Sequence, residues 1–390
     1  MQFAQRMSRL GTETAFEVLA RAQALEAQGK SVVHLEIGEP DFDTPRYIRQ
    51  AAAEALEAGF THYGPSAGLA EFRKVIADQW GQERGIPCDA DNVVVTPGAK
   101  PIMFFVMLAL LEEGDEVLFP NPGFPIYESV ANFIGAKPVP LHLKVEDDFD
   151  LDIKELERKI TSRTKLLVLN SPHNPTGAIL KPETVRAIAD LARKHHFSIL
   201  SDEIYAKLQY EGQHLSIASL PGMAERTIVL DGFSKTYSMT GWRLGFGIME
   251  KHLAKHVARL MTNSNSCTAT FVQKAGLAAL TGPQGEVHAM VEEFRGRRDL
   301  MVEGLNRIPG VKCFKPRGAF YVFPDVRGTG ISSRELATAL LDEAGVACLS
   351  GTAFGAHGEG FIRLSYANSR DNLQQALDRI NEYLSVRAKA

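Results

Sequence analysis

The chain has 390 residues, 45% hydrophobic and 23% charged, which is long enough to bury a sizeable core and excludes a disordered chain. Lys and Arg number 43 against 47 Asp and Glu, a net charge of -4; this near balance argues against nucleic acid as a partner. At roughly 100–200 residues per domain, length suggests two or three domains.

In chain order, the start carries no apolar stretch suited to a secretory signal. Thr44-Pro45 offers an N-cap and a proline at the first helical position, and Gly59 a stop. Strands are expected at 92–96, 116–120, 165–170, 197–202, 227–231 and 243–248. Several are continuously apolar, such as Leu166-Leu167-Val168-Leu169, as in a parallel sheet buried on both faces. Helices are expected at 101–111 and at 181–196, where Pro182 lies near the start. The first of these is the longest apolar run and is too short to span a bilayer. This alternation predicts a doubly wound α/β domain. After about residue 285 the texture changes to a smaller α+β domain. Residues 311–314 and 319–323 read as a hairpin pair, 332–344 as a helix and 360–365 as a strand. A last helix sets Leu373, Ala376, Leu377, Ile380 and Leu384 on one face. Cys88, Cys267, Cys313 and Cys348 are far apart with no C-x-x-C pair, which disfavours a zinc site or a disulfide scaffold. The expectation is a cytoplasmic protein with no membrane contact and no metal.

The most informative segment runs from Asp231 to Gly245, with Lys235 among small residues. Small neighbours let a bulky ligand approach, and a partly desolvated lysine can lose its proton and form a Schiff base. Asp202, in Ser201-Asp202-Glu203-Ile204-Tyr205, follows a strand and stands at a carboxyl end of the sheet, where ligands bind in open α/β folds. Asn170 to Gly177 is a Pro/Gly-rich turn after a strand. Thr96-Pro97-Gly98-Ala99-Lys100 leads into a helix whose first N–H groups can face an anion. Arg363 lies in an apolar strand, where a buried guanidinium needs an anionic partner.

Together these segments resemble the class I/II aminotransferases of fold type I, of the aspartate aminotransferase-like subgroup, over about residues 30–370. The resemblance implies a large domain over 46–284, with a mostly parallel doubly wound sheet, and a small discontinuous domain from 1–45 and 285–390. It implies pyridoxal 5′-phosphate (PLP) as cofactor, attached to Lys235, which also shuttles the substrate proton. Asp202 would meet the pyridine nitrogen, and Tyr205 and Asn174 the ring oxygen. Arg243, Ser234 and the backbone of Ala99 and Lys100 would hold the phosphate. Phe124, in Asn121-Pro122-Gly123-Phe124-Pro125-Ile126-Tyr127, would stack on the ring. Gly38, in Glu36-Ile37-Gly38-Glu39-Pro40-Asp41-Phe42, would meet the substrate α-carboxylate with Asn174 and Arg363. Tyr63, in Thr61-His62-Tyr63-Gly64, would reach the phosphate of a neighbouring subunit, which implies a homodimer with shared sites. Lys100 could instead reach an acidic substrate side chain. Some relatives carry a serine three residues before the lysine, where this chain has Gly232. The implied reaction is ping-pong amino transfer between an L-amino acid and a 2-oxo acid. Donors would be aspartate or glutamate, or alanine or aromatic residues, with 2-oxoglutarate as acceptor. A PLP-dependent C–S β-lyase of the same fold is the alternative.

Overall fold

The continuous apolar runs become buried strands. The computed structural model describes residues 1–387. Its strands are β1 (Val33–His34), β2 (Val93–Thr96), β3 (Glu116–Asn121), β4 (Lys137–His142), β5 (Thr164–Asn170), β6 (Ser198–Asp202), β7 (Thr227–Gly232), β8 (Gly245–Ile248), β9 (Tyr321–Val322), β10 (Val346–Ala347), β11 (Leu349–Ser350) and β12 (Ile362–Ser365). A seven-stranded sheet has the order β2-β8-β7-β6-β5-β3-β4. Neighbours are parallel from β7 to β4, and β8 runs antiparallel to both β7 and β2. Every residue of β2, β3, β7 and β8 is buried, because helices cover both faces of a mostly parallel sheet. No described helix is long and apolar enough to cross a membrane.

Strand β4 escapes the sequence pattern. Pro138 and Pro140 cannot donate to a ladder, and β4 is tolerated because it pairs only with β3 at the sheet edge. The helix Arg46–Glu57 forms as expected, but Pro45 takes the cap position. The Thr44 hydroxyl does not cap it: it donates to the Ser238 carbonyl at 2.6 Å and accepts from Trp242 Nε1 at 3.0 Å. The expected helices at 101–111 and 181–196 appear as Lys100–Leu110 and Pro182–His195.

In the C-terminal third, β12 pairs antiparallel with both β11 and β9. β1 runs parallel to β10, so the N-terminal segment joins this part. The expected hairpin of 311–314 with 319–323 does not form. Lys312 instead bridges Asp325, and β9 pairs with β12. The connecting backbone is satisfied elsewhere: Arg317 and Gly318 N–H donate to the Gly177 carbonyl at 2.9 and 3.0 Å, and Ala319 N–H to Leu208. The helix Arg370–Arg387 buries Leu373, Ala376, Leu377, Ile380 and Leu384 as its periodicity predicts.

A buried charge network ties the carboxyl ends of β6 and β7 together. Arg84 places Nε 2.6 Å from Glu203, next after β6, and Nη2 2.6 Å from Asp231 of β7. Trp80 Nε1 donates to the same Asp231 oxygen at 2.7 Å. Ser201 and Ser216 donate to Glu203 at 3.0 and 2.6 Å, and His214 Nε2 lies 3.0 Å away. Removing one partner of a buried pair leaves an uncompensated charge. Arg84→Met should therefore lower stability by about 3–5 kcal/mol. The urea midpoint should fall with an unchanged slope; an unchanged midpoint would refute the role given to the network.

Candidate active site

The sheet's carboxyl ends open into a cavity of about 440 Å³. Every residue singled out in the sequence except Tyr63 lines it. Tyr63 lies outside, with its side chain 87% exposed.

Asp202, the last residue of β6, is buried. Tyr127 donates its hydroxyl to Oδ2 at 2.5 Å, and the Ile204 N–H reaches Oδ1 at 3.3 Å. No cation among the described residues forms an ion pair with it. Burial pushes its pKa up to about 6, while the Tyr127 and Ile204 hydrogen bonds oppose the rise. Lys235 follows the end of β7 and donates Nζ to the Gly38 carbonyl. Burial pulls this amine down to about 8; Glu39 opposes the fall, and Lys100 and Arg363 add to it. A carboxylate and an amine therefore share one desolvated cleft, each shifted toward its neutral form.

Arg363 stands within β12 and is only 4% exposed. Nη1 donates to Asn174 Oδ1 at 3.3 Å and Nη2 to the Glu36 carbonyl, but Nε has no partner among the described residues. The guanidinium lies 4.5 Å from the Tyr321 ring centre and 4.9 Å from that of Phe354. Its neighbours are thus neutral oxygens and aromatic faces, and a carboxylate would complete it. Asn174 is fixed in turn, its N–H donating to Asn170 Oδ1 at 2.8 Å. The Tyr205 and Tyr321 hydroxyls are 2.8 Å apart. Gly38 admits this arrangement because a Cβ there would stand 2.2 Å from Tyr321 Oη.

At the other end of the cavity, Ala99 caps the helix Lys100–Leu110. Arg243 donates Nη1 to the Thr240 carbonyl at 2.8 Å. Gly98 has φ +85°, and a Cβ there would stand 2.0 Å from Arg243 Nη2, so this turn needs glycine on both counts. Gly232 also has a physical reason: a Cβ would stand 3.0 Å from Gly245 Cα of β8 and from the carbonyl oxygen of Leu244 just before it. A side chain there would press on that backbone, and buried Ser234 is a nearby hydroxyl that lines the cavity. Phe124 is half-buried and meets Tyr127 edge-on, with ring centres 5.6 Å apart. Lys100 sits at the mouth, paired with Glu13 and 5.3 Å from the Phe124 ring centre.

Sequence reasoning missed Tyr127, Tyr321 and Glu13. Tyr127 closes the segment that supplies Phe124, and its signal is a tyrosine on an otherwise apolar face, which needs a polar partner. Tyr321 is masked by the apolar run around it. Glu13 comes from a stretch with no pattern of its own.

The aminotransferase class I and II family model matches residues 30–380. An aspartate aminotransferase from Pyrococcus abyssi is 42% identical over 91% of this chain and 92% of its own length. Aromatic-amino-acid aminotransferase 2 from Thermococcus litoralis is 40% identical over 92% of this chain and 93% of its own. The structure of Thermus thermophilus aspartate aminotransferase with maleate superposes with a TM-score of 0.93 at 39% identity, covering 98% of this chain and 99% of that one. A family match across most of the chain and a shared fold at this identity agree, and the chain belongs to the class I and II aminotransferases.

Proposed function

We propose that this aminotransferase binds PLP at Lys235 and Asp202 and moves an amino group between an L-amino acid and a 2-oxo acid by a ping-pong mechanism. One observation carries the reading: a depressed lysine, and a buried carboxylate and a buried arginine that form no ion pair among the described residues, line the same cavity. The donor set fits the cofactor. A cationic pyridine nitrogen would give Asp202 its counter-ion. The Gly98 turn keeps Arg243 where a phosphate could be held beside the Ser234 hydroxyl and the backbone of Ala99 and Lys100.

When bound, PLP supplies an electron sink for the charge left at the substrate's α-carbon. Lys235 would hold the cofactor and, once free, would take the substrate's α-proton at Nζ. Desolvation suits it to that task, since an ordinary lysine stays protonated near neutral pH. Asp202, steadied by Tyr127, would hold a proton at the pyridine nitrogen. Tyr205 and Asn174 would orient the ring oxygen, and Phe124 would cover a ring face. Arg363, with Asn174 and the Gly38 backbone, binds and orients the α-carboxylate. The names of the relatives support amino transfer rather than C–S elimination. They also support aspartate and aromatic amino acids as donors; glutamate or alanine as donor, with 2-oxoglutarate as acceptor, completes the proposed panel.

The same reading divides the chain into a large domain, 46–284, and a small one from 1–45 and 285–390; the β1–β10 pairing supports it. It takes the protein as a homodimer in which exposed Tyr63 serves the partner's phosphate.

With PLP added, wild-type protein should convert at least one donor of this panel with 2-oxoglutarate. Lys235→Ala should slow turnover by about 10²–10⁴-fold, and rapid turnover by that variant would sink the mechanism. Lys235 in the cofactor-free chain is neutral above about pH 8. Its rate of PLP capture, followed by absorbance, should rise with pH through a midpoint near 8 and level off above it. A rise continuing toward about 10.4, the value of an unperturbed lysine, would contradict the desolvation argument.

A further inference from the structure

A ping-pong transaminase passes two different side chains through one cavity. A lysine at the mouth suits a substrate with a distal carboxylate. An apolar side chain would displace water around that ammonium and leave it unpaired, which is unfavourable. The structure places a carboxylate of the protein at this point. Glu13 lines the cavity and pairs with Lys100 Nζ, which also faces the Phe124 ring.

We propose that Glu13 is a built-in counter-ion that occupies Lys100 when the bound substrate has no distal carboxylate and leaves it when one arrives. This deepens the reading above and rests on it, since it takes Lys100 as the neighbour of the substrate side chain. The backbone around Glu13 is tethered on both sides. Gly11 N–H donates to Ser129 Oγ at 2.8 Å, and Ser129 Oγ donates back to the Gly11 carbonyl at 3.2 Å. The helix Ala15–Glu26 begins two residues after Glu13. Exchange therefore needs only a rotation of the Glu13 side chain. Lys100 is 51% exposed and Glu13 21%, so the carboxylate has water to turn into. The pair also balances the field at the reacting end: Lys100 lowers the proton affinity of Lys235 and Glu13 raises it. A substrate carboxylate on Lys100 would keep that balance while Glu13 points to solvent.

The test uses the PLP-loaded enzyme and the kcat/KM values of aspartate and phenylalanine. In Glu13→Gln the aspartate value should rise and the phenylalanine value fall, changing their ratio by about fivefold, the upper range for a partly exposed pair. In a Lys100→Met background, Glu13→Gln should leave the ratio unchanged. An unchanged or opposite ratio in the single variant overturns the proposal. So does an equal ratio change with and without Lys100, which would mean a structural effect. Failure of the underlying reading looks different: wild-type enzyme would then transaminate no donor of the panel, glutamate and alanine included.

Discussion

Desolvation of two opposite charges at neighbouring strand ends is the constraint on which the site depends. Asp202 ends β6 and Lys235 follows β7. A parallel sheet brings such ends side by side and opens them to one cleft. Burial then pushes the carboxyl up to about 6 and the amine down to about 8. Neither meets a counter-ion among the described residues within bonding distance; Asp202 meets a phenol and Lys235 a backbone carbonyl. A ligand with a cationic ring nitrogen and a carbonyl carbon would satisfy both. The strand ends are in turn held by Arg84, whose guanidinium spans Glu203 and Asp231 immediately beside them.

The third buried charge comes from the other part of the chain. Arg363 of β12 reaches the cavity through Asn174 and the Glu36 carbonyl. The segment from Glu36 to Gly38 thus lies between Arg363 and Lys235, accepting from each. β1, just ahead of it, is anchored by pairing with β10. In the proposed reading, this geometry would couple a carboxylate bound at Arg363 to the position of Lys235, through backbone oxygens that no side-chain substitution removes.

Much of this was legible in the sequence because burial leaves a mark there. Central strands such as β5 and β7 read as unbroken apolar runs. Lys235, Asp202 and Arg363 stand out as charges set against apolar strands. What stayed hidden depends on contacts between distant segments. Tyr127 is recognisable as a site residue only through Asp202, 75 positions away, and Tyr321 only through Tyr205, 116 away. β4 is concealed by prolines that an edge tolerates. The expected hairpin failed because the backbone beyond Pro316 finds its acceptors at Gly177 and Leu208. Thr44 was diverted from capping by Ser238 and Trp242. Within the chain Tyr63 lies apart from the cavity, and its signal pointed instead to the proposed second copy.

The central claim is that the desolvated amine at Lys235 is the point of cofactor attachment. Borohydride reduction of the PLP-loaded protein, followed by peptide mass analysis, tests it most directly. The account predicts one phosphopyridoxyl group per chain, on the peptide containing Lys235. Attachment at Lys100 or another lysine, or none at all, would contradict it.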